Sequence, residues 1–86
     1  MQQFVHIVRD PLGIHARPAG LLAKTAKNFS DTVITVAKNG NAVRAGQLMK
    51  LMGLGVRLGD EVTVTAEGPG ETEAIAAMRL FFSENL

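Results

Sequence analysis

The position of Pro18 at the start of a helical pattern limits how this chain can fold. Apolar residues recur after it at the three- and four-residue spacing of an amphipathic helix: Ala19, Leu22, Ala23, Ala26 and Phe29. Proline has a fixed φ and no N–H, so a helix tolerates it only in the first turn. The helix is therefore predicted to begin near His15 or Ala16.

Four other segments have the composition of strands. β-branched and aromatic residues predict strands at residues 3–8, 32–38, 41–44 and 61–67. Asn39-Gly40 lies between the second and third of these and supplies the positive φ angles of a tight hairpin turn. The first strand has apolar residues on both faces, so the sequence leaves open whether His6 points inward.

Two further helices complete the pattern. Residues 47–54 form a short apolar run closed by glycines, and residues 71–82 carry apolar side chains at helical spacing after the Gly68-Pro69-Gly70 break. The resulting order, β-α-β-β-α-β-α, predicts an α+β domain with an antiparallel sheet and its helices on one face. A chain of 86 residues is expected to form a single domain, 1–86.

Composition excludes several classes of function. The chain has no cysteine, which rules out disulfides and thiolate metal sites. Its basic residues are scattered, its net charge is +1 and its aromatic residues are few, so a nucleic-acid partner is not expected. No segment has the pattern of a signal peptide or a membrane span, and we therefore expect a cytoplasmic protein with no membrane insertion.

The stretch from Gly13 to Ala19 places a titratable nucleophile where a loop becomes a helix. The first amides of a helix lack partners and attract anions, and Ala16 and Arg17 can offer such N–H donors. The Arg17 guanidinium matches phosphate oxygens, and the neutral imidazole of His15 can attack phosphorus near pH 7. These residues alone also fit two simpler interpretations, in which His15 only caps the helix and Arg17 is only a solvated surface charge.

The motifs of this chain resemble those of the HPr family, the histidine-containing phosphocarriers of the bacterial sugar phosphotransferase system, and of its nitrogen-branch relative NPr. The resemblance covers nearly the whole chain. It is carried by Gly13-Ile14-His15-Ala16-Arg17-Pro18-Ala19, Asn39-Gly40, Leu48-Met49-Lys50-Leu51-Met52-Gly53-Leu54-Gly55 and Ala66-Glu67-Gly68.

The resemblance implies an open-faced β-sandwich of four antiparallel strands with three helices on one face. It also implies a carrier, not an enzyme, phosphorylated at Nδ1 of His15 by a phosphoenolpyruvate-dependent enzyme I, with Arg17 stabilising the phosphate. A histidine of an enzyme IIA would be the next acceptor. No metal or other cofactor is implied, and we expect a monomer.

A docking surface around the active histidine is also implied by the resemblance. Its residues here are Ala16, Gly20, Lys24, Leu48, Met49 and Met52. The short second helix has more apolar side chains than it can bury, and we expect Leu51 and Leu54 to point inward. Ala45-Gly46-Gln47 stands where many family members have a regulatory serine, so regulation through that serine is predicted to be absent.

Two other functions remain to be weighed. The same phosphorylated surface could serve a regulatory binding module that changes the activity of a partner protein. A small nucleic-acid-binding domain is a more remote alternative. The sequence does not distinguish a sugar branch from a nitrogen branch, because that choice lies in the acceptor.

Overall fold

The chain folds in the order that the sequence predicts. The computed structural model describes residues 1–86. Its elements are β1 (Gln2–Ile7), α1 (Ala16–Ala26), β2 (Val33–Lys38), β3 (Asn41–Arg44), α2 (Leu48–Gly53), β4 (Glu61–Glu67) and α3 (Glu71–Asn85). The predicted α+β class is confirmed.

The four strands form one antiparallel sheet in the order β1-β4-β2-β3. Phe4 pairs with Val64, and Val64 pairs on its other side with Val36, so one apolar row crosses the sheet. Asn39 and Gly40 have φ angles of 52° and 83°, which confirms the predicted turn between β2 and β3. The sheet therefore buries one continuous face.

The core lies between this face and the helices. In β4 the alternation is as predicted, with Val62, Val64 and Ala66 buried. The sequence did not settle which face of β1 points inward. In the structure Phe4 is buried and the opposite face of the strand is exposed. His6 shares the inward face, and its ring meets the Phe82 ring edge-on at 5.4 Å between centroids. The aromatic residues of α3 therefore determine which face of β1 points inward.

Helices α1 and α2 bury the residues that the sequence predicts, except that α1 ends at Ala26, so Phe29 lies beyond the helix and packs against the core partly buried. The buried residues of α1 are Pro18, Ala19, Leu22, Ala23 and Ala26. In α2 only Leu51 is buried, and Leu54 after it packs against the core, as expected. None of the helices combines the length and the apolar character needed to cross a membrane.

A lysine bridge fixes the loop between α2 and β4. The Lys38 ammonium donates to the Gly55 carbonyl oxygen at 2.7 Å and lies 2.8 Å from Oδ2 of Asp60. The Arg57 amide donates to the same carboxylate at 2.8 Å. The Lys38 ammonium first, and the Arg57 amide second, hold the pKa of Asp60 below its ordinary value.

The lowered pKa of Asp60 predicts a pH-dependent contribution to stability. The unfolded carboxyl group titrates near 3.8, so the contribution is complete above that pH and is lost as pH falls through the lower folded-state pKa. We expect Asp60→Asn to destabilise the protein at pH 7, with the difference from wild type shrinking below pH 3.8. Urea unfolding of both proteins between neutral and strongly acidic pH measures this. An equal difference at every pH would contradict the assignment.

Candidate functional site

His15 occupies the N-cap position of α1, as the sequence predicts. Its backbone is extended, with φ −108° and ψ −175°, and its carbonyl oxygen accepts the Ala19 N–H at 2.9 Å. The side chain makes no capping hydrogen bond, and about a third of it is exposed (34%). The imidazole is therefore accessible to a partner protein and does not occupy the end of the helix.

The first amides of α1 follow directly after this N-cap. Ala16 and Arg17 are the first two helical residues, so neither has a carbonyl one turn earlier within the helix. Pro18 follows and has no N–H, and the first turn contains no acidic residue. Two N–H donors at the positive end of the helix dipole can therefore bind an anion beside the imidazole.

The loop before His15 is held by backbone contacts. Gly13 has a φ of 67°, and its N–H donates to the Asp10 carbonyl oxygen at 3.0 Å. The next amide, of buried Ile14, donates to the Val56 carbonyl oxygen at 3.2 Å. Val56 belongs to the loop that the Lys38 bridge fixes, so the position of His15 depends on two loops packed together.

An open hollow of about 270 Å³ lies beside His15. Its lining includes Asp10, His15, Arg17, Leu21, Glu84 and Asn85. The structure thus brings together the two predicted residues, His15 and Arg17. It also adds four that the sequence analysis missed, two of them from the last turn of α3.

Asp10 approaches the imidazole from the loop side. Its Oδ1 accepts the Leu12 N–H at 2.8 Å and lies 3.8 Å from Nε2 of His15. That separation is too long for a hydrogen bond and short enough for an ion pair once the ring is charged. The turn composition of residues 10–13 predicted a loop here, but nothing in the sequence predicted that the Asp10 carboxylate would lie near His15.

The predicted docking residues lie on α1 and α2, which pack against each other. Ala16 and Lys24 are exposed and Gly20 is partly exposed on α1. On α2, Met49 is 76% exposed and is flanked by the exposed Leu48 and Met52. Leu21, not predicted, adds another exposed apolar side chain on α1.

His6 does not join this site. Its Nε2 atom is buried without a hydrogen-bond partner, and its ring packs on Phe82. The structure has no group of three or more His, Asp or Glu side chains that could hold a metal ion. The site around His15 itself presents an imidazole, a guanidinium and open backbone amides.

The chain matches one known protein family over nearly its whole length. The family profile described as "PTS HPr component phosphorylation site" matches residues 2–84. The phosphocarrier protein HPr of Mycoplasma genitalium is 39% identical over 85 residues, which cover 99% of this chain and 97% of that protein. HPr of Mycoplasma pneumoniae is 37% identical over 79 residues, covering 92% and 90%.

Solved structures give the same result. HPr-C-His from Thermoanaerobacter tengcongensis superimposes with a TM-score of 0.91 at 38% identity, covering 98% of this chain and 93% of that one. A histidine-containing phosphocarrier protein of Mycoplasma has a TM-score of 0.92 at 34% identity, covering 96% and 93%. Crh, the catabolite repression HPr of Bacillus subtilis, has a TM-score of 0.68 at 35% identity, covering 99% and 100%.

Gly13 is predicted to be essential for the loop that holds His15. A Cβ atom there would lie 2.1 Å from the Val56 carbonyl oxygen, in addition to the strain of the positive φ. We expect Gly13→Ala to lower the free energy of unfolding by about 2 kcal/mol or more. Gly20→Ala is the control, because it has open space inside α1 and should stabilise by about 0.5–1 kcal/mol. Chemical unfolding measures both, and a neutral Gly13→Ala would contradict the role of this contact.

Proposed function

The chain belongs to the HPr family, the phosphocarrier proteins of the bacterial phosphotransferase system, and on that premise we propose that it carries the phosphoryl group on His15. One observation carries this proposal. The partly exposed imidazole caps α1 without occupying its first amides. The nucleophile and the phosphate seat are therefore adjacent and both free.

Nδ1 is the nitrogen of His15 that we propose as the acceptor. It is bonded to Cγ and so lies nearer the backbone than Nε2, which faces Asp10. A phosphoryl group on Nδ1 would therefore lie nearer the amides of Ala16 and Arg17. In the transfer, the Nδ1 lone pair forms the new N–P bond while the bond between phosphorus and the donor breaks and leaves its electron pair on the donor.

Arg17 and the helix amides stabilise the bound phosphate in this proposal. The guanidinium is exposed at the hollow, stays charged at any working pH, and presents donors that match two phosphate oxygens. The carrier needs little further machinery, because phosphoryl transfer depends mainly on positioning and charge stabilisation. The N–P bond is labile enough for the group to pass onward.

The donor and the acceptor are proposed to be enzyme I and an enzyme IIA, both of which dock on α1 and α2. The exposed apolar side chains of Leu48, Met49 and Met52 form the centre of this surface, and Lys24 lies at its polar edge. Methionine side chains can repack against differing partners, which suits a carrier with several. The proposal includes a cytoplasmic location, where these partners would be met.

A regulatory role is the second candidate function, and it is supported by the similarity of this chain to Crh, a protein named for catabolite repression. Under this alternative the phosphorylated surface would change the activity of a partner protein. Ala45-Gly46-Gln47 has no hydroxyl group, so we propose that serine-linked regulation at the start of α2 is absent. Restored sugar uptake in cells whose own HPr is replaced by this protein supports the carrier role over the regulatory one.

His15→Ala is expected to abolish phosphoryl acceptance and leave the fold intact, because the side chain makes no capping bond. The assay uses enzyme I and labelled phosphoenolpyruvate, with acid-labile, base-stable label mapped by mass spectrometry and folding followed by thermal melting. In the same assay Arg17→Ala should slow transfer at least about tenfold. His6→Gln is the control and should keep its label. Label retained in His15→Ala would contradict the proposal.

Met49→Ser is expected to weaken the binding of enzyme I roughly fivefold or more, since truncating a central apolar contact costs about 1 kcal/mol or more. Leu80→Ser is the matched control: Leu80 is 59% exposed but lies on α3. Both changes are at the surface, so neither should alter the melting temperature much. Isothermal titration calorimetry measures the affinities. Equal affinities for the two variants would remove Met49 from the docking surface.

A further inference from the structure

Asp10 is held in place beside His15 by backbone contacts on three sides. Its amide donates to the Leu86 carbonyl oxygen at 3.1 Å, and its own carbonyl oxygen accepts the Gly13 N–H at 3.0 Å. Its Oδ1 accepts the Leu12 N–H at 2.8 Å. The carboxylate is therefore positioned before any ligand binds.

The charge of Asp10 is not neutralised by another residue. Asp10 makes no salt bridge with any lysine or arginine, and the basic side-chain nitrogen within ion-pair distance is Nε2 of His15, at 3.8 Å. The resting neutral ring gains little from a carboxylate at that distance. A positively charged ring would gain a full ion pair.

Phosphorylation creates that positive charge. For Nδ1 to attack, its lone pair must be free, so the neutral ring carries its proton on Nε2. When the N–P bond forms and the donor leaves with its electron pair, the ring keeps the Nε2 proton and becomes an imidazolium bearing the phosphoryl group. Its positive charge is shared with Nε2, which faces Asp10.

We propose that Asp10 is a positioning residue of the phosphoryl carrier: its carboxylate faces Nε2 of His15 and stabilises the ring once phosphorylation has made it positively charged. The inference rests on the proposed function of His15. In other protein sites a carboxylate beside the second ring nitrogen orients an imidazole. Here the interaction is stronger after transfer than before it, so it shifts the transfer equilibrium toward the carrier.

Asp10→Asn isolates the charge, because the amide oxygen can still accept the Leu12 N–H. The equilibrium constant for transfer from phosphorylated enzyme I should fall roughly fivefold, the effect of one unit-charge pair at this distance in watery surroundings. KM for enzyme I should not change, because the docking surface is elsewhere. The difference should shrink in 1 M salt, which screens a partly exposed pair.

Two further variants serve as controls. Glu73→Gln removes an exposed carboxylate in the first turn of α3, outside the hollow, and should leave the equilibrium unchanged. Asp10→Ala removes both the charge and the acceptor for Leu12. Long-range ¹⁵N NMR of the resting ring should find the proton on Nε2 in the wild type.

The outcomes separate this inference from the proposed function. If the wild type takes up no label, or is labelled at a residue other than His15, both the role of Asp10 and the proposed function are overturned. If the wild type is labelled at His15 and Asp10→Asn has the same equilibrium constant for transfer and the same salt dependence, the role of Asp10 alone is overturned. If Asp10→Asn transfers phosphate like the wild type and Asp10→Ala does not, the Asp10 side chain only stabilises the loop through its hydrogen bond to the Leu12 N–H, and the proposed role is overturned.

Discussion

The structure depends on a helix that begins without a capping side chain. Helix ends normally gain stability when a short polar side chain satisfies one of the first amides. At α1 that position is taken by His15, whose ring makes no such bond, and the third helical residue is Pro18. The resulting pair of free amides costs the fold some stability and leaves a seat for an anion beside a nucleophile.

The rest of the fold holds this end of α1 in position. The buried stripe of α1 packs into the core, and the Ile14 amide ties the preceding loop to Val56. The Lys38 bridge in turn fixes the loop that contains Val56. The chain thus presents a fixed site beside an open hollow and not in a deep cleft.

Much of this could be predicted from local sequence. Pro18 determined the start of α1, and Asn39-Gly40 determined the turn between β2 and β3, because each restricts the backbone by itself. The inward face of β1 could not be predicted, since it depends on contact with Phe82 in α3. The surroundings of His15 were missed for a similar reason. Glu84 and Asn85 reach the hollow from the last turn of α3, beside the point where the Leu86 carbonyl oxygen accepts the Asp10 N–H, and this contact joins residues far apart in sequence.

The most direct test of this account is NMR spectroscopy of the protein phosphorylated by enzyme I. Scalar couplings across hydrogen bonds between ³¹P and the backbone amides report which N–H groups hold the phosphate. We expect such couplings, or the largest downfield amide shifts, at Ala16 and Arg17, with phosphorus bonded to Nδ1 of His15. A phosphate bound to His15 with both amides unchanged would contradict the claim that the open end of α1 is its seat.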